Sequence, residues 1–136
     1  MQLMAIDHIV EKSRYYQKRP PSFIDNLEEL VAKRIMRRPR GPVRPVFSYA
    51  RRVPFAQVNG ELIWYFDMDP AAGGTVGQIV YEDAEDLTLD VVAESFDDLL
   101  NMYIRDLGRG EFFPDDENGQ IRSSGGCWYA NPNGIA

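Results

Sequence analysis

The stretch that most restricts how this chain can fold is ELIWYFDMDPAAGGTVGQIVY, residues 61–81. Leu62, Ile63, Trp64, Tyr65 and Phe66 form one run of strand-favouring residues, and Val76, Ile79, Val80 and Tyr81 form a second. β-branched and aromatic side chains suit a pleated, half-buried surface, so the two runs are expected to lie in one sheet. The link between them begins stiff and ends permissive. Pro70 fixes its own φ and has no amide to donate, while Gly73, Gly74 and Gly77 can take the positive φ of an irregular return.

Around this pair the other elements fall into place. Residues 53–58 read as a strand, Asn59-Gly60 is the strongest two-residue hairpin signal in the chain, and residues 61–68 are expected to pair antiparallel with 53–58. A third strand over 76–82, the acidic loop EDAED and a fourth strand over 87–93 come next. Ser95 is placed to cap a helix over 95–108, with Asp98 at the box position and Phe96, Leu99, Leu100, Tyr103, Ile104 and Leu107 as its apolar residues. Upstream, Leu3, Ile6, Ile9 and Val10 predict a helix over 3–18. Ser22 and Asp25 open a second over 22–38, with Lys33, Arg34, Arg37 and Arg38 at its negative end. The segment RPRGPVRPVFSYARR, 38–52, reads as an extended connector, because residues before proline are pushed out of the α region. These readings give a single α+β domain over 1–136, a mostly antiparallel sheet with helices packed against it, and a polar C-terminal tail over 114–136.

At 136 residues with 44% hydrophobic side chains, the chain is of a size to bury one core. No window approaches the ~20 apolar residues of a membrane span. The opening MQLMAIDHIVEKSRYYQKR lacks the apolar run of a secretory signal, so the chain is read as cytoplasmic. One cysteine, Cys127, and one histidine, His8, exclude an internal disulfide and a Cys/His zinc site. Charge is divided unevenly: residues 1–53 carry net +7 and residues 54–136 net −13.

Several motifs invite chemistry, and each has a structural use that competes with it. Asp67 and Asp69 form a D-x-D pair like the one that holds a divalent metal in nucleotide-sugar glycosyltransferases. Two carboxylates alone are a thin ligand set, and accepting hydrogen bonds at a turn is the favoured use. The glycines at 73, 74 and 77 run into a strand rather than a helix and have no lysine beside them, which argues against a phosphate loop. Glu82, Asp83, Glu85 and Asp86 are either a solvated loop or an electrostatic face for a basic partner, which Asp115 and Asp116 would extend. The basic, aromatic segment 33–52 could meet nucleic acid, but an isoelectric point near 4.7 opposes this, and pairing with the acidic half is the competing use. No nucleophile–base arrangement emerges, and no cofactor is called for.

The string Asp67-x-Asp69-Pro70-x-x-Gly73-Gly74-x-x-Gly77-Gln78 resembles the signature of the SUKH superfamily, which includes fungal cell-wall-synthesis regulators and many bacterial immunity proteins. GPVRPVFSYARRVPFA, 41–56, is similar to the family's G-x-R-P-x-W segment and the strand after it, and VVAESFDDLL, 91–100, to the start of its last helix. The likeness covers roughly 41–108; no segment before Gly41 matches the family's N-terminal helix pattern, and Gln57 to Gly60 replace its D-G-G-G-N turn. It implies a non-enzymatic protein-binding domain, first of all an immunity protein neutralising a toxin such as a nuclease, whose cationic site carboxylates would imitate phosphate to fill. A regulatory scaffold of the fungal type is the alternative, and a metal-dependent D-x-D enzyme a distant third. A protein partner is expected, and neither membrane nor nucleic acid.

Overall fold

The computed structural model describes residues 2–18, 27–58, 60–110, 112–115 and 120–123. In chain order these form β1 (Gln2–Leu3), α1 (Ile6–Lys18), α2 (Leu27–Ala32), β2 (Arg52–Val58), β3 (Leu62–Asp67), β4 (Gln78–Asp83), β5 (Thr88–Ala93), α3 (Phe96–Gly108), β6 (Phe112–Asp115) and β7 (Gln120–Ser123). The first five strands make one antiparallel sheet in the order β1-β2-β3-β4-β5, and β6 and β7 pair separately. The expected α+β class is therefore observed. Among the described residues no helix is long and apolar enough to cross a membrane.

Alternation along the strands sorts the sheet into two unlike faces. Trp64, Ile79, Tyr81 and Val92 join Phe55 and Ala56 in an apolar layer that packs on Leu99 of α3. Trp64 stands opposite Tyr81 across the β3–β4 ladder, their rings 5.1 Å apart. The neighbouring positions point the other way. Val80 and Leu89 meet Leu27 and Leu30 of α2 together with Met36 and, from the connector, Val43 and Phe47. Ile63 and Tyr65 meet Tyr16 of α1. Helices thus cover both faces.

Several boundaries differ from the sequence reading. Residues 2 and 3 add a short strand to β2 before α1 begins at Ile6. The helix expected over 22–38 ends at Ala32 where it is described, and residues 19–26, with Ser22 and Asp25, lie outside the described residues. Arg34 takes φ +58°, which a helix cannot continue through. Arg37 does not sit on a helix end but forks onto both oxygens of Asp90 in β5, and Arg40 joins the same edge through a Val91 N–H to Arg40 carbonyl bond of 2.9 Å. The third strand begins at Gln78, leaving Val76 exposed. Ser95 does cap α3: its Oγ accepts the Asp98 amide at 3.1 Å and donates to Asp98 Oδ2 at 2.8 Å. The polar tail over 114–136 is interrupted by a hairpin in which Phe112 pairs with Ser123 and Asp115 with Gln120.

Candidate functional site

The aspartate turn is built as architecture. Asp67, at the end of β3, is fully buried; its Oδ1 accepts the Asp69 amide at 3.2 Å and its Oδ2 accepts Gln78 Nε2 at 3.0 Å. Asp69 points elsewhere: its carboxylate takes Arg44 Nη2 at 3.2 Å and the Tyr49 hydroxyl at 2.5 Å. Those donors, the tyrosine hydroxyl foremost, hold its pKa below the ordinary aspartate value. All four oxygens of the D-x-D pair therefore have protein donors. Gly73 and Gly77 take φ of +88° and +87°, and the Gly77 amide donates to the Asp67 carbonyl at 2.7 Å. At Gly74 a Cβ would stand 2.6 Å from Pro70 Cβ and 2.9 Å from the Pro42 carbonyl oxygen, so only glycine lets the turn close on the connector. Gln78 Nε2 also donates to that Pro42 carbonyl at 3.0 Å. Among the described residues no three His, Cys, Asp or Glu side chains converge to hold a metal ion.

Beside the turn lies a buried charged cluster. The Arg52 guanidinium is fully enclosed, donating to the carbonyls of Val46 at 2.5 Å and Arg44 at 2.6 Å, so it pins the connector to β2. Its Nε lies 3.8 Å from Asp67 Oδ1 and its Nη1 4.0 Å from Glu82 Oε2. Burial lowers the Arg52 pKa, which Glu82 and Asp67 partly restore. Glu82 accepts the Ser48 amide at 2.8 Å, and the Tyr65 hydroxyl lies 3.2 Å from both Glu82 Oε1 and the Tyr16 hydroxyl. Burial pushes the Glu82 pKa up, opposed first by the Ser48 amide and then by Arg52.

Glu82 also forms the floor of an open cleft of about 830 Å³ between α1 and the sheet. His8, Lys12 and Tyr15 line it from α1, Ile63 and Ser48 from below, and Glu11, Glu61 and Glu85 from its rim. Carboxylates outnumber cations there. Lys12 is the ammonium facing in; burial lowers its pKa and the charge of Glu82 raises it. A groove walled by a tyrosine and an isoleucine and ringed by glutamates is suited to an extended basic segment, whose hydrocarbon stems would pack while their charged heads meet the rim.

The acidic run of the sequence is split by this geometry. Glu82 and Asp83 belong to β4 and are buried, so neither is a surface contact: Asp83 turns back to accept the Glu85 and Asp86 amides at 3.0 Å each. This corrects the expectation of four exposed carboxylates. Glu85 and Asp86 are exposed, and Glu85 alone of the run reaches the cleft rim. Asp115 is in β6, far along the chain from this strand, and Asp116 lies outside the described residues. Sequence reasoning missed Glu11, Lys12, Tyr15 and Glu61, which become one site only when α1 is laid across the sheet. His8, which entered the sequence reading only as the lone histidine, is an exposed residue of the cleft wall. Three arginines of the basic segment 33–52 pair with the acidic half, through Arg37–Asp90, Arg44–Asp69 and Arg52 with Asp67 and Glu82.

No family model matches the chain. Over 127 residues it is 25% identical to the cell wall biosynthesis/cell cycle regulator smi1 of Schizosaccharomyces pombe, a match that covers 88% of this chain. The chain spans 25% of the length of that curated relative. The likeness is thus to a part of that regulator, in a chain whose observed architecture is an α+β sheet with helices on both faces.

Proposed function

We propose that this chain is a regulatory protein-binding domain that performs no bond chemistry and receives a basic segment of its partner in the cleft between α1 and the sheet. The observation that carries the reading is the cleft itself, a groove of about 830 Å³ rimmed by Glu11, Glu61 and Glu85. Charge complementarity of this kind speeds encounter and sets register. The engagement of every Asp67 and Asp69 oxygen by a protein donor favours a structural over a metal-binding use of that pair. Likeness to a fungal regulator favours a scaffold or adaptor role.

The SUKH resemblance names a narrower partner, a toxin domain blocked by an immunity protein, and the same cleft would serve it. The test is affinity purification from the source cells with the wild-type chain and a Glu61→Lys/Glu85→Lys variant. A partner that is retained by the wild type and lost by the folded variant supports the reading. A partner held equally by both contradicts it. Rescue of cells that express a toxin encoded beside this gene, again lost with the double reversal, would assign the immunity role. Absence of such a neighbour leaves the regulatory one.

A further inference from the structure

The cleft between α1 and the sheet already holds a cation of its own. Among its lining residues Glu11, Glu61, Glu82 and Glu85 stand against one ammonium, that of Lys12. Lys12 is half-buried, and its Nζ lies 5.8 Å from the centre of the Tyr16 ring, over its face. The two residues are four apart on α1, which brings their side chains onto one side of the helix. A cation over a ring face at this distance is attracted by the ring's quadrupole.

The ring and the ammonium are held very differently. Tyr16 is buried, with the rings of Tyr15 and Tyr65 at 5.9 and 6.2 Å. Its hydroxyl lies 3.2 Å from that of Tyr65, which in turn lies 3.2 Å from Glu82 Oε1. The ring is therefore a fixed platform with a buried carboxylate behind it. Lys12 has no such anchorage: among the described residues no carboxylate forms an ion pair with it, and Glu82 acts on it through space. A strongly hydrated ammonium on a flexible four-carbon stem is easily returned to water.

We propose that the face of Tyr16 is a cation subsite of the cleft, that Lys12 is its resident occupant, and that a lysine or arginine of the partner segment takes its place as Lys12 swings out. The inference rests on the reading of the cleft as a receptor for a basic segment. It adds which ring receives the basic side chain and which residue competes for it. Lys12 thereby sets the selectivity of the groove. A segment without a cation has nothing to offset the displacement, whereas a basic one replaces one charge over the ring with another and brings further charges to the glutamate rim.

The test is calorimetric binding of a short arginine- and lysine-containing peptide, at low salt, to the full chain as wild type, Lys12→Met and Lys12→Arg, with the fold of each checked by its amide spectrum. Methionine keeps most of the stem and removes the charge, so Lys12→Met is expected to bind about tenfold more tightly, within the range that a cation over an aromatic ring supplies. Lys12→Arg keeps the charge and is expected to bind no more tightly than the wild type. Binding by the wild type with equal or weaker binding by Lys12→Met would overturn the resident-cation role and leave the receptor reading standing. No binding to any of the three would remove the receptor reading and this inference with it. Proton NOEs give a readout independent of affinity. Those between the Lys12 methylenes and the Tyr16 ring should be present in the free chain and vanish at saturation, replaced by NOEs from the peptide's basic side chains to the same ring. Lys12–Tyr16 NOEs that persist in the saturated complex would contradict displacement.

Discussion

The two faces of the sheet solve opposite problems. On the side of α3, Trp64, Ile79, Tyr81, Val92 and Leu99 form a layer of hydrocarbon and rings. On the other, the same strands send inward Gln78, which holds the Pro42 carbonyl of the connector, and Asp67 and Glu82, which flank Arg52 from β2, with Glu82 also lining the cleft. The first face needs only area removed from water. The second keeps buried charges in place by giving each a specific donor or acceptor, which is costly to assemble and easy to upset. The lesson is that the α3 side is apolar, whereas the other side combines an apolar cluster around Val80 and Leu89 with a buried charged network, and that adjacent residues of one strand, Tyr81 and Glu82, belong to the two separately.

Substitutions can break that contrast. Trp64→Ala on the apolar face should cost about 3–5 kcal/mol in urea unfolding, with the same loss at about pH 5 as at about pH 8. A pH-dependent loss there would mean the faces are not independent. Arg52→Met, on the charged face, should cost about 3 kcal/mol at about pH 8, where Asp67 and Glu82 lose their shared cation. The loss should be smaller at about pH 5, where Glu82 can take up a proton.

A finer probe is Glu82→Gln. The folded-state pKa of Glu82 is raised above its ordinary value of 4.5, so the folded chain binds the proton more tightly than the unfolded one. Its contribution is therefore present in full below that ordinary value and is lost as pH rises through the raised one. Wild-type stability should fall over that window by up to roughly 1.4 kcal/mol per pH unit, and Glu82→Gln should flatten the slope. An unchanged slope would remove Glu82 as its source. Smallest of all, Glu61→Lys/Glu85→Lys at the exposed rim should shift stability by no more than about 0.5 kcal/mol while removing partner retention.

Much of this plan was legible in residues 52–108. The alternation in β3 and β4 and the Asn59-Gly60 signal gave the meander, with Gly60 at φ +75° as a hairpin turn demands. The Ser95 cap gave the start of α3. Boundaries failed where local preference was overruled by a distant partner: Arg37 favours a helix end but is taken by Asp90, fifty-three residues away. Glu82 looked like the first residue of a surface acidic run. A period-two count from Val80 would have placed it on the inward side, but its compensation by Arg52, Ser48 and Tyr65 comes from long-range folding that composition does not record. Leu100 and Ile104, listed from the sequence in one apolar set with Leu99, are exposed where Leu99 is buried, because helical spacing identifies apolar residues and does not say which of them meet the sheet.

The central claim, that the cleft between α1 and the sheet is a receptor for a basic segment, is tested most directly by tracking the backbone amides of the full chain by NMR. The titrants are a short arginine- and lysine-containing peptide and a glutamate-containing control of the same length. Shifts with the basic peptide should concentrate at Lys12, Tyr15, Ile63 and Glu85 and vanish in the Glu61→Lys/Glu85→Lys variant. Equal shifts with both peptides, or shifts gathered on the α3 side, would contradict it.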